Sequence, residues 1–167
     1  MDIIFSPMLP KDDNRPHLEN FTLPLSDAAA RNFFRLDQFI APGCWSLQDW
    51  QLLRGDYFLC AVSKKQGTED SLFGALLGVD PVQGEVGHLL KLVMHPEMRR
   101  QGGANTLLEH YLGHLRSKGA RSLYLEVAAK NFQAISFYRK SGLKDLCVKK
   151  KFYQSGEDAL SMELLLI

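Results

Sequence analysis

Apolar positions along the chain keep to two rhythms, and each change of rhythm marks an element. From Ser26 they recur at helical spacing, with Ala29, Phe33, Leu36 and Ile40 on one face; Ser26-Asp27 supplies the cap and Pro42-Gly43 the stop. Ser46-Leu47-Gln48-Asp49 fits a capping box and opens a second, short helix that runs to Gly55. Strand-length runs follow at Tyr57 to Ser63 and Leu72 to Val79, with Lys64 to Asp70 as a hairpin loop. Pro81-Val82-Gln83-Gly84 turns the chain into a strand from Glu85 to Met94. Helical spacing returns at Ala104, Leu107, Leu108, Tyr111, Leu112 and Leu115, and Lys118-Gly119 closes that helix. Ser122 to Ala128 is a strand, and Asn131 caps a helix that stops at Gly142. Lys144 to Tyr153 is a strand, Gln154-Ser155-Gly156 a turn, and Leu160 to Leu164 a closing strand.

Ahead of these elements, Pro7, Pro10 and Pro16 surround the charged cluster Lys11 to Arg15. Prolines at that density oppose a helix, so residues 1–19 read as a proline-rich extended arm, with Ile3-Ile4-Phe5 a candidate edge strand. Residues 20–167 read as one domain whose first regular strand is the alternating Phe21-Thr22-Leu23. Hairpins first and strand–helix–strand units afterwards give an α+β (mixed α/β) fold, a single central mixed sheet with helices on both faces. The two strands joined through helix 104–118 are expected to be parallel, with a right-handed crossover.

Composition narrows the picture without changing it. A length of 167 residues is one domain by size, and 46% hydrophobic with 23% charged residues is ordinary for a globular protein. Net charge +1 gives no global field for nucleic acid or an acidic membrane. Cys44, Cys60 and Cys147 are odd in number and lack zinc-ligand or redox-motif spacing, so they read as reduced thiols in a cytosol. No apolar run approaches membrane length, and none follows Met1 to Phe5 as a signal core would. The expectation is a cytoplasmic protein, a monomer or weak dimer, with no metal and neither nucleic acid nor membrane as a direct partner.

Chemistry concentrates between Leu89 and Leu108. A strand, with one lysine among apolar residues, breaks at His95-Pro96 and leads through Arg99-Arg100-Gln101-Gly102-Gly103-Ala104 into a helix. The first turn of a helix has N–H groups without internal partners, and its dipole favours negative charge. Two glycines allow close approach, and two arginines add formal charge. Such a loop binds an anion, most simply phosphate, or is a solvated loop before an ordinary helix. Its spacing is neither that of a Walker loop nor that of a dinucleotide-binding glycine motif.

Downstream stand Leu125-Glu126-Val127, Asn131, Tyr138 and Gly142-Leu143. Together with Arg99, Gly102 and Ala104 they resemble the GNAT acetyltransferase superfamily, whose pyrophosphate loop reads Arg/Gln-x-x-Gly-x-Gly/Ala. Within it the chain is similar to the RimI-like branch, the bacterial ribosomal-protein-alanine acetyltransferases. The resemblance covers about residues 20–167 and implies a GNAT fold in which the two parallel strands splay to admit a pantetheine arm. It implies acetyl-CoA as donor, held by Leu92, Val93, Met94, Arg99, Arg100, Gln101, Gly102, Gly103, Ala104, Asn105, Asn131 and Tyr138. Glu126 becomes a general base, directly or through water, and Tyr138 the group that hydrogen-bonds or protonates the departing thiolate. Backbone N–H groups near Val93-Met94 would face the thioester oxygen. Trp45, Phe152 and Tyr153 would line a groove for the acceptor, a protein amino terminus such as that of a ribosomal protein.

Taken singly, each of these residues has a plainer use. Glu126 suits a salt bridge to a lysine, Tyr138 a core position, Asn131 an N-cap, and Lys149-Lys150-Lys151 a solvated face. Three positions depart from the branch pattern: Ala128 stands in place of an arginine, Lys130 in place of a serine, and Cys44 in place of a proline. All three bear on the acceptor side. A GNAT that acetylates a small amine or a lysine, a silent acyl-CoA-binding module, and a nucleotide-binding scaffold remain as alternatives.

Overall fold

The computed structural model describes residues 17–40, 45–63 and 72–166. Residues 1–16 of the proline-rich arm, with Ile3-Ile4-Phe5, the Pro42-Gly43 stop, Cys44 and the 64–70 loop lie outside the described residues, while residues 17–19 of the arm belong to the first strand. In chain order the elements are β1 (His17–Asn20), α1 (Asp27–Ile40), α2 (Leu47–Gln51), β2 (Tyr57–Ser63), β3 (Leu72–Val79) and β4 (Val86–Met94). A 3-10 turn at Pro96–Met98 precedes α3 (Gly103–Ser117), β5 (Ser122–Ala128), α4 (Phe132–Lys140), β6 (Lys144–Lys149) and β7 (Ala159–Leu165).

One seven-stranded mixed sheet runs in the order β1-β2-β3-β4-β5-β7-β6. Every neighbouring pair is antiparallel except β4 with β5, the pair joined through α3. Strand alternation sends side chains to two apolar layers. On one face Leu76, Leu89, Leu123, Leu125 and Met162 pack against Leu107, Leu108, Tyr111 and Leu115 of α3 and Ile135 and Tyr138 of α4. On the other, Leu59, Ala61, Ala75, Leu77 and Val93 meet Ala30, Phe33 and Leu36 of α1 and Trp50 of α2. Glycines allow the first layer to close: a Cβ at Gly78 would lie 2.3 Å from the Tyr111 ring, and one at Gly87 2.5 Å from Leu115.

Two irregularities in β4 position the site. Leu77 pairs with Lys91 but Gly78 with Leu89, so the strand bulges at Leu90 and its side chains change phase. Leu89 therefore faces α3, while Lys91 reaches α1 and pairs with the fully buried Asp37. The second irregularity is a parting. β4 and β5 are paired only from Val86↔Ser122 to Leu89↔Leu125, and beyond that point each keeps only its other neighbour.

Local chemistry sets the ends. Ser26 accepts from the Ala29 N–H (3.2 Å), and the capping box of α2 is complete, with Ser46 and Asp49 each receiving the other's backbone N–H. Three boundaries differ from the pattern. The first strand is His17–Asn20 rather than Phe21 to Leu23, whose apolar residues turn down onto the α1 layer. Helix α2 ends at Gln51, with Leu52 as its C-cap, ahead of Gly55. Strand β6 ends at Lys149, because Lys150 and Lys151 turn the chain and Lys151 has φ +49°.

Candidate functional site

The parting of β4 from β5 opens into a cleft of about 680 Å³, within the range of small-molecule sites. Its walls are Leu92, Val93 and Met94 from the free half of β4, the Met98 to Asn105 loop, and Asn131 to Lys140 on α4, with Ile40 at one rim. The loop has its glycine where the backbone demands one. Gly102 has φ +84° and ψ −9°, a left-handed conformation that side chains disfavour, and a Cβ there would point into open space. Thr106 makes the first helical bond, its N–H donating to the Gly102 carbonyl at 2.9 Å. The N–H groups of Gly103, Ala104 and Asn105 come before it, and a glycine cap has no side chain to accept them. Arg99 ties the loop to the strand by donating from Nε to the Met94 carbonyl (3.3 Å). Together these features make a place for a phosphate, with an apolar channel leading from it into the sheet.

Most of the expected donor residues line this cleft: Leu92, Val93, Met94, Arg99, Arg100, Gly102, Ala104, Asn105, Asn131 and Tyr138. Two do not. Gln101 folds back to donate to the Glu97 carbonyl (3.0 Å), and Gly103 is buried behind the loop, where a Cβ would come 2.7 Å from Met94 Cε. Asn131 caps α4 by accepting from the Ala134 N–H (3.1 Å) while its surface stays on the cleft wall. Tyr138 is buried against Phe137 and borders the same space. Burial, with the Tyr153 phenol nearby, holds the Tyr138 phenol well above its ordinary pKa, so it stays protonated.

Glu126 is not on the cleft wall. It alternates with Leu125 and Val127, which face α3 and α4, and so projects from the opposite face of the sheet. Three donors converge on it: His88 Nε2 at 2.7 Å from Oε2, with Tyr124 Oη (2.9 Å) and Lys149 Nζ (2.6 Å) on Oε1. Burial alone would raise its pKa, but the bonds from Lys149, His88 and Tyr124 outweigh it and leave the carboxyl below its usual value. The same bond to Glu126 raises Lys149. An ionised, fully partnered carboxylate is a weak proton acceptor by itself.

Phe152 and Tyr153 join this cluster through Lys149, whose Nζ lies 5.2 Å from both the Tyr124 and the Phe152 ring centroids. Phe152 and Tyr153 pack edge to face at 5.1 Å. Trp45 belongs to a different group, under Lys91 (5.0 Å) and against Trp50 (5.1 Å). His88, Tyr124 and Lys149 complete this cluster, and none of them stands out singly in the sequence. Tyr124 was findable, because two residues before Glu126 on a strand is the same face, and the parallel register then sets His88 opposite Tyr124.

Among the described residues no group of His, Cys, Asp and Glu could hold a metal ion, and no helix is long and apolar enough to cross a membrane. Cys60 is buried, which pushes its thiol up to about 12, and Cys147 is exposed.

The model of the Acetyltransferase (GNAT) family matches residues 23–143. The chain is 39% identical over 77 residues to an N-alpha-acetyltransferase of Saccharolobus solfataricus, covering 46% of each. It is 34% identical over 79 residues to the [ribosomal protein bS18]-alanine N-acetyltransferase of Escherichia coli, covering 46% of this chain and 53% of that one. It thus spans about half the length of the curated relatives it matches. Its fold is that of the crystal structure of the Escherichia coli ribosomal-protein-S18-alanine N-acetyltransferase (TM-score 0.76, 22% identity, 91% of this chain and 94% of that one). It is equally that of Arabidopsis thaliana NAA60 in complex with a bisubstrate analogue (TM-score 0.76, 17% identity, 90% and 98%).

Proposed function

Because this chain belongs to the acetyltransferase (GNAT) family, we propose that it transfers acetyl from acetyl-CoA directly to the α-amine of a protein amino terminus. The observation that carries this reading is the cleft at the β4–β5 parting, closed at one end by the left-handed Gly102 at the start of α3. A pyrophosphate fits the free N–H groups of Gly103 to Asn105 with Arg99 and Arg100 beside them. An extended pantetheine fits between β4 and α4, and the thioester arrives where the two strands separate. Tyr138, protonated and on the cleft wall, is placed to hydrogen-bond the departing thiolate. Glu126, on the other face of the same notch, belongs to the side from which an amine approaches, with Phe152 and Tyr153 beside it.

The acceptor follows from amine chemistry. At pH 7 an α-amine with pKa near 7.7–8.0 is roughly a tenth neutral, whereas a lysine near 10.4 is neutral about once in several thousand. Deprotonating the lysine costs about 3 kcal/mol more. The relatives named for N-alpha-acetylation and for alanine of a ribosomal protein make an Ala- or Ser-starting peptide the first acceptor to try, with the amino terminus of a ribosomal protein among them. The test is CoA release, with the modified nitrogen mapped by mass spectrometry. Peptides with a free Ala or Ser α-amine are expected to exceed matched peptides offering only an internal lysine by ~100-fold in kcat/KM, which is about 2.7 kcal/mol. Equal rates on the two, or turnover confined to small polyamines, would reject this acceptor.

A further inference from the structure

We propose that Asp158 is a positioning residue for acceptor binding, its carboxylate fixing the turn between β6 and β7 that carries Phe152 and Tyr153. This rests on the acyl-transfer reading above, in which those two rings stand beside the incoming amine, and names the group that sets their place. The turn spans residues 150–158 and is closed at its base by the last pair of the two strands, Lys149↔Ala159. Asp158 joins three segments there. Its Oδ1 accepts the Lys151 N–H at 2.9 Å, its Oδ2 accepts from Lys150 Nζ at 2.8 Å, and its backbone carbonyl accepts the Ala129 N–H at 2.9 Å. Ala129 directly follows β5, the strand that bears Glu126, so the turn is tied to that strand's end.

Of the two bonds to the carboxylate, the one from the backbone sets the shape. Lys151 has φ +49°, a left-handed conformation uncommon for a residue with a side chain, and such a residue keeps it only where its surroundings hold it. The bond from its own N–H to Asp158 is that hold. Phe152 comes next, so the direction in which the chain leaves Lys151 decides where that ring lies. The ring centroid sits 5.2 Å from Lys149 Nζ, which in turn bonds Glu126 at 2.6 Å. The other bond is a surface ion pair. Lys150 is 79% exposed, and a pair so open to water adds little.

Beyond Lys151 the turn is closed by its own bonds. The Tyr153 N–H donates to the Glu157 carbonyl (3.1 Å) and the Gly156 N–H to the Tyr153 carbonyl (2.8 Å), with Gly156 at φ +80°. Lys151 is therefore the joint by which a small closed unit is set on the end of β6. Phe152 and Tyr153 pack edge to face at 5.1 Å within that unit. It reaches from the Glu126 cluster toward Tyr138, whose phenol feels the Tyr153 phenol. A binding surface already held in its bound shape spares the acceptor the cost of ordering it. The phosphate loop at Arg99 to Asn105 lies on another part of the chain, so loosening the turn should touch the acceptor and leave the donor alone.

The experiment measures kcat and peptide KM by CoA release for full-length protein with an Ala-starting peptide, and acetyl-CoA affinity by calorimetry. Asp158→Ala should raise peptide KM ~10-fold, with kcat within ~2-fold of wild type and acetyl-CoA affinity unchanged. The side chain is 30% exposed, so this variant should fold. Asp158→Asn keeps an oxygen for the Lys151 N–H, and Lys150→Ala removes only the surface ion pair; both should stay within ~3-fold of wild-type KM. Adding Lys151→Gly to Asp158→Ala should bring KM back to within ~3-fold of wild type, because glycine takes the left-handed backbone unaided. A charge effect or a general loosening of the fold would not be rescued in this way. Wild-type KM in Asp158→Ala, the same rise in Lys150→Ala, or a rise that Lys151→Gly leaves uncorrected overturns this assignment alone. Wild-type protein that binds acetyl-CoA but acetylates no amine overturns the acyl-transfer reading, and this assignment with it.

Discussion

Replacing Asp37 with alanine should destabilise the fold more than any surface substitution. Asp37 is fully buried on α1, and both its carboxylate oxygens lie 2.7 Å from Lys91 Nζ. The lysine is only 10% exposed and is flanked by the rings of Trp45 at 5.0 Å and Trp50 at 5.8 Å. Asp37→Ala leaves that ammonium with two ring faces and no counter-charge. An exposed ion pair is worth about 0–1 kcal/mol, whereas breaking a buried pair costs about 3–5 kcal/mol. For a chain of this size each kcal/mol moves Tm by roughly 2–4 °C, so the midpoint should drop by about 6–20 °C. Lys91→Met should cost a similar amount, because the carboxylate is then the group left stranded. Asp37→Leu with Lys91→Met removes both charges and should recover most of the loss, a coupling that a double-mutant cycle isolates. Urea unfolding followed by tryptophan fluorescence measures all three. A single-mutant loss below about 1 kcal/mol, or a double mutant as poor as the sum, would mean that water reaches the pair and that the burial argument is wrong.

Three further outcomes test the site. Gly102→Leu imposes a side chain on a left-handed backbone, so it should cost about 1–2 kcal/mol in stability and weaken acetyl-CoA at least ~10-fold by calorimetry; unchanged affinity in the folded variant rejects the phosphate loop. Tyr138→Phe should lower kcat by ~100-fold with acetyl-CoA binding nearly kept; wild-type turnover would remove the tyrosine from the chemistry. For Glu126, hydrogen bonds overcome burial and depress the folded carboxyl below its ordinary value, so the stability it contributes is present above that ordinary value and lost as pH falls through the folded value. The gap in urea midpoint between wild type and Glu126→Gln should then be widest near neutrality and close in acid, and a gap independent of pH would contradict the network.

Strands, helices and caps were legible wherever local signals agreed. The limits of β2, β3 and β5, the capping box at Ser46 and the glycine stops at Gly119 and Gly142 all followed from spacing and turn chemistry. Two exceptions to the apolar pattern answered each other without announcing it: Asp37 on the buried face of α1 and Lys91 in the strand leading to the loop are one ion pair. Nothing local could say so, because the bulge at Leu90 alone turns Lys91 toward α1. The same limit hid the Glu126 cluster. Glu126 and the lysine run are both visible in the sequence, but placing Lys149 on Glu126 requires β7 to pair with both β5 and β6, a non-local fact. The Arg99 to Ala104 loop was the more legible half of the candidate site because it is contiguous in sequence, whereas the Glu126 cluster is assembled from three strands.

A sheet of seven strands ordinarily opens and closes as one body, yet here the halves are stitched together by few bonds. β5 shares seven residue pairs with β7, but only four pairs join β4 to β5. The apolar layer under α1 draws on β2, β3 and β4, so of the two apolar layers the one under α3 and α4 bridges the divide, joined on the other face by the His88–Glu126 bond. The seam is therefore the cheapest place for local opening. Amides on its two edges beyond Leu89 and Leu125 should exchange with deuterium by fluctuations far smaller than global unfolding. A molecule that lodges between the edges and bonds to both acts as the missing rungs: it raises protection there first, and makes two loosely coupled blocks unfold as one.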